Sequence, residues 1–172
     1  MDIKVITTKD GGVVQLIDKE KMMEWPVELP LLFVEYIRDK KLDSYGSAKK
    51  EVDQYLNEIM EEVAIPRLIS VLKGEDVEEI KLALSRIEEI SKKNIEMARP
   101  IKTYLSDLLK NKNKDVVKLA ESISSNFTKA ERRKELAKKR KLMQQKEKDF
   151  LEGKITAEDY AKARKDYLVL KD

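Results

Sequence analysis

Ile3-Lys4-Val5-Ile6-Thr7, then Thr8-Lys9-Asp10-Gly11-Gly12, then Val13-Val14-Gln15-Leu16-Ile17 is the stretch that sets the reading of this chain. Two β-branched runs flank an Asp-Gly-Gly turn, and glycine supplies the positive φ such a turn needs, so residues 3–17 are expected to form a β-hairpin. The grammar then changes. Met23-Glu24-Trp25-Pro26-Val27-Glu28-Leu29-Pro30 leads into Leu31-Leu32-Phe33-Val34-Glu35-Tyr36-Ile37-Arg38, with Pro30 placed for a first helical turn. A small β unit with one docked helix therefore precedes a chain that reads as helix almost throughout. The expected fold is mostly α: a helical domain, or bundle, over 46–127, preceded by a small β-containing domain over 1–45 and followed by a basic helical hairpin over 128–172.

Working outward, the helix after Gly46-Ser47, with Ser47 expected as its N-cap, carries Val52, Tyr55, Leu56, Ile59 and Val63 on one stripe, the spacing of a buried face. Pro66 kinks or restarts the chain, and Lys73-Gly74 stops it. Asp76 is positioned to cap a helix with Ile80, Leu84, Ile87 and Ile90 on one face, closed by Lys93-Asn94. Met97, Ile101, Leu105 and Leu108 follow. Asn111-Lys112-Asn113 then reads either as a turn or as the polar side of one long helix. Leu136, Met143 and Phe150 recur every seven residues, Gly153 ends that helix, and Thr156 with Asp159 resembles a capping box for a last helix bearing Tyr160, Ala163, Tyr167 and Leu170.

Composition narrows the chemistry. The 172 residues are 40% charged and contain neither cysteine nor histidine. Disulfides, thiolate catalysis, the usual Cys/His zinc sites and histidine general-base chemistry are excluded together. Adjacent acids such as Glu61-Glu62 and Glu88-Glu89 point about 100° apart on a helix and converge on nothing. Gly11-Gly12 lacks the helix and Lys-Ser/Thr of a phosphate loop. No enzyme, metal or cofactor is expected. The charged N-terminal start argues against a signal peptide, and no apolar run nears the ~20 residues of a membrane span, so no membrane contact and a cytoplasmic, nucleoid-associated setting are expected. Residues 129–149 hold ten cations against four acids, while the whole chain is +3. Arg132, Arg133, Lys138, Lys139, Arg140 and Lys141 are the candidate contacts to nucleic acid or an acidic partner, against the blander reading of a solvated face.

Two resemblances follow from these residues. Val27-Glu28-Leu29-Pro30-Leu31-Leu32-Phe33-Val34, behind a strand pair, resembles the "V-E-L-P-L-W-L-A" segment of β-domain-first subunits of GINS, an archaeal and eukaryotic DNA-replication complex. Leu108 through Ala120 is similar to that family's "L-I-x-x-R-x-x-K-I-x-x-L-A" core pattern. Leu32 stands where the family often has Trp, and Lys112 where Arg is common. The resemblance implies a non-catalytic scaffold that joins a companion GINS subunit in a hetero-tetramer, docks on the MCM helicase and a RecJ-family-like partner, and supports unwinding at the fork. On that reading Trp25, Leu32, Phe33, Tyr36, Tyr55, Ile59, Ile101, Leu105 and Leu108 are candidate interface residues, although Trp25, just before Pro26 at the β-to-helix joint, reads first as packing the small domain.

The second resemblance is to HEAT-type helical repeats: Ile80-Lys81-Leu82-Ala83 returns as Val117-Lys118-Leu119-Ala120, and Pro66 as Pro100. It implies an adaptor whose basic tail binds nucleic acid or an acidic protein. Residues 110–115 separate the two: a helix running through them favours GINS, and a turn with stacked antiparallel helices favours the repeat.

Overall fold

A computed structural model describes residues 2–172. It is mostly α, with a two-stranded antiparallel sheet first and helices thereafter. The chain divides into two compact units that meet between Ile123 and Ser124. The first therefore takes in both the hairpin and the helices that the sequence reading placed in separate domains.

Strands β1 (Ile3–Thr7) and β2 (Val13–Ile17) pair with Ile3 opposite Ile17 and Thr7 opposite Val13. Gly11 closes the turn at φ +85°, while the Thr8 hydroxyl accepts the Gly12 N–H at 2.9 Å. The hairpin buries Ile6 and Leu16, leaving Ile3, Val5 and Val13 at least half exposed. Helix α1 (Leu29–Tyr36) has Pro30 in its first turn and buries Leu31 and Val34.

Helices α2 (Lys49–Ile59) and α3 (Ile65–Leu72) are joined by a π-helical turn over Met60–Ala64. Pro66 supplies the reason. It has no N–H to give, and its ring would meet the carbonyl four residues back, so the helix widens by one residue ahead of it rather than stopping. Ser47 does not cap α2 as expected. A 3₁₀ stretch over Leu42–Ala48 runs straight into the helix with Ala48 at the cap position, and the Ser47 hydroxyl lies near Asp10 of the β-turn instead. The Thr8 hydroxyl foremost, and that of Ser47 after it, hold the Asp10 carboxyl below its ordinary pKa.

Helix α4 (Val77–Lys93) starts on Asp76, whose carboxylate accepts the Glu78 and Glu79 N–H groups, and packs back on α3. Asn94 ends α4 and opens the short α5 (Ile95–Ala98); a 3₁₀ segment over Arg99–Tyr104 leads to α6 (Leu105–Leu108). The chain then turns. Leu109–Asn113 are non-helical, and Asn113 accepts the Asp115 and Val116 N–H groups to start α7 (Lys114–Leu151). Residues 110–113 are thus a turn, and Lys114 and Asp115 already belong to α7.

Within the first unit the buried faces recur. Ile65 and Ile101, Leu72 and Leu108, Ile80 and Val116, Leu84 and Ala120, and Ile87 and Ile123 are all buried, each pair 36 residues apart. Asp76 and Asn113 play the same capping role at nearly that interval. The 99–104 segment touches α3, so the stretches holding Ile65 and Ile101 are neighbours.

The second unit is a helical hairpin. Helix α7 ends at Gly153, φ +72°, and Thr156 caps α8 (Ala157–Lys171) by accepting the Asp159 N–H at 3.3 Å. Phe150 stacks on Tyr160 with ring centroids 5.8 Å apart, Ala163 is buried, and Arg132 donates to the Leu170 carbonyl at 3.2 Å.

Candidate interaction surfaces

The nine residues read as an interface separate into two sets. Trp25, Leu32 and Phe33 are half-buried and Tyr36 is exposed. Trp25 meets Phe33 edge to face, ring centroids 5.9 Å apart. Tyr55, Ile59, Ile101, Leu105 and Leu108 are instead buried inside the first unit, which corrects their reading as contact surface. An amphipathic stripe must be covered, and here the same chain covers it: α2 and α3 lie against α1, the hairpin and α4.

What ties the N-terminal segment down is polar. The Arg67 guanidinium donates to the Met22 carbonyl at 3.0 Å and to the Trp25 carbonyl at 2.5 Å, so one planar fork satisfies two loop carbonyls. Lys19 pairs with Glu62 at 2.6 Å and Glu58 at 3.2 Å, and its pKa is raised by the bond to Glu62 foremost. Arg86 lies 3.7 Å from Glu28, with its buried Nε making no hydrogen bond. None of these contacts was legible in the sequence, because each joins residues distant along the chain.

A groove of about 490 Å³ opens beside α1. Leu31, Val34, Met60 and Ile90 line its floor, and Glu35, Arg38, Asp53, Asn57 and Met97 its rim. Arg38 is already engaged by Asp53 at 3.3 Å and by Asn57. A second groove of about 370 Å³, with Pro26, Val27, Leu68 and exposed Leu82 along it, carries Glu28 and Glu79. Among the described residues no group of three or more carboxylates gathers to hold a metal ion, and no helix is long and apolar enough to cross a membrane.

In the second unit the helical phase sorts the basic residues. Leu136, Met143 and Phe150 mark the side of α7 that faces α8. Of the six candidates, Arg132 and Lys139 fall on that side; Arg132 bonds α8 and Lys139 is half-buried. Lys138 and Lys141 are exposed away from it, joined by Lys134 and Lys148, which were counted among the ten cations but not among the candidate contacts; Arg133 and Arg140 are exposed between that row and the seam. The seven-residue seam was the signal that would have found them. The chain matches no family model, no curated protein and no solved structure.

Proposed function

We propose that this chain is a non-catalytic adaptor: two HEAT-like helical pairs, fronted by a β-hairpin, that present a basic helical hairpin to a partner. The observation that carries this reading is the recurrence of the buried face at 36 residues, from Ile65/Ile101 to Ile87/Ile123, across a turn at Leu109–Asn113. Repeat architectures stack supersecondary units that cannot bury their apolar faces alone, and intervals of this size are typical of them. Two copies leave a short stack, and the hairpin with α1 supports the reading by covering α2 as a cap would.

A GINS subunit is the second reading, favoured by one observation, the order of a β unit followed by helices. Absolute mass by light scattering separates the two. The adaptor is expected to keep its mass when mixed with a GINS companion subunit. A discrete hetero-oligomer of about four chains would overturn the adaptor reading and install the replication scaffold.

A further inference from the structure

We propose that the outer face of α7 binds the phosphate backbone of duplex DNA, without regard to sequence, through Lys134, Lys138, Lys141 and Lys148 with Arg133 and Arg140 beside them. This deepens the adaptor reading by naming what the basic hairpin holds; it rests on that reading for its setting only.

The placement comes from helix geometry. At about 100° per residue, Lys134, Lys138, Lys141 and Lys148 fall in one row on the side away from the Leu136-Met143-Phe150 seam, and Arg133 and Arg140 in a second row between it and the seam. All six are exposed. The lysine row extends over roughly 20 Å at about 1.5 Å per residue. Glu131, Glu135 and Asp149 flank one edge and Glu147 the other, so no carboxylate falls between the rows. None of the six makes an ion pair. Lys134 and Lys138, and Lys138 and Lys141, are four and three apart and repel; Glu131 and Glu135, three residues ahead of Lys134 and Lys138, offset this in part.

The surroundings of the cations select the anion. Ala137 and Gln144 stand between the rows; exposed Leu142 borders Lys134 and Lys138 on one edge, and exposed Leu151 falls in line with Arg133 on the other. A protein interface needs a contiguous desolvated apolar or aromatic centre; Leu142 and Leu151 lie on opposite edges of the stripe and form none, so an acidic protein is the poorer fit. No aromatic residue lies between Phe127 and Phe150, so unpaired bases would find nothing to stack on. A rigid row of point charges fits a continuous, regularly charged backbone, and the absence of any base-reading geometry makes the contact indifferent to sequence.

The test is fluorescence anisotropy with the full chain and labelled DNA duplexes of about 20 base pairs in two unrelated sequences, over a range of salt concentrations. Both duplexes are expected to bind alike, with log K falling against log salt at a slope of roughly −4 to −5. The K134Q/K138Q/K141Q/K148Q variant is expected to lose at least about tenfold in affinity and to flatten the slope by about three. The matching Lys→Arg variant keeps binding, and R132Q/K139Q, on the seam side, stays within about twofold. Circular dichroism confirms that each variant remains helical. No binding at low salt, an R132Q/K139Q loss equal to that of the quadruple variant, or equal competition by polyglutamate would each overturn the proposal. Those failures leave the light-scattering result untouched, so the adaptor reading is judged separately.

Discussion

The hydroxyl of Tyr55, on α2, donates a 2.8 Å hydrogen bond to the backbone carbonyl of Ile17, the last residue of β2. A side chain at 2% exposure thereby joins the hairpin to the helices, and the Lys4 ammonium sits 5.5 Å from its ring centre. Burial, the largest influence, pushes the Tyr55 pKa up to about 12 from 10.0. A raised acid pKa stabilises the fold below the unfolded value and loses that contribution as pH climbs to the folded one. Between about pH 10 and pH 12 the wild-type chain is therefore expected to lose roughly 2–3 kcal/mol through this group. Tyr55→Phe should lower stability at pH 7 by about 1–2 kcal/mol, through the unpaired Ile17 carbonyl, and flatten the alkaline decline. Urea unfolding at pH 7 and across the alkaline range checks both; an unchanged alkaline slope in the variant would refute the assignment.

Arg67 is expected to be irreplaceable by lysine. Its fork reaches the carbonyls of Met22 and Trp25 together, and an ammonium has no second arm at that spacing. Arg67→Lys should cost about 1–3 kcal/mol and loosen the segment around Trp25. Trp25 is the sole tryptophan, so its emission reports the change directly as a red shift in the folded variant.

The legible parts of this fold are those whose cause is local. Asp10-Gly11 announces a turn because few other pairs reach its geometry, and Thr156 with Asp159 announces a helix start because the bonds lie within three residues. The stripe Val52, Tyr55, Leu56, Ile59, Val63 announces burial, and all five are buried. Periodicity shows that a face is covered without showing by what, so a long apolar stripe assigns Tyr55 and Ile59 to a partner surface no better than to the chain's own core. Pro66 was readable as an interruption, but its lost N–H and ring clash can be met by a stop, a kink or a widened turn, and the chain takes the π turn over Met60–Ala64. Asn111-Lys112-Asn113 was open for a different reason: asparagine serves a turn and a helix surface alike, and only the bonds to the Asp115 and Val116 N–H groups decide it.

Those bonds give the third prediction. Asn113→Ala and Asp76→Ala each remove the side chain that satisfies two N–H groups at the start of the second helix of a pair. Each is expected to destabilise the first unit by about 1 kcal/mol, with glycine at either position costing only a few tenths. Comparable losses at the two sites, read from urea midpoints, are what equivalent positions of a repeat require. A loss at one with none at the other would argue against the equivalence.

The hairpin of the second unit turns on Gly153, whose φ of +72° is open to glycine and strained for alanine although nothing lies within 4 Å of an added Cβ. The penalty is therefore conformational rather than steric, about 1–2 kcal/mol for Gly153→Ala. Its effect should stay local. Beyond the turn, α8 is held by the Phe150–Tyr160 stack, the Thr156 cap and Arg132 on the Leu170 carbonyl, a short set of contacts around one buried side chain, Ala163. A unit so lightly packed opens separately from a well-buried core. Hydrogen exchange is expected to show faster exchange across 154–171 in the variant, with α2, α3 and α4 unchanged. Faster exchange throughout the chain would mean that the two units unfold as one.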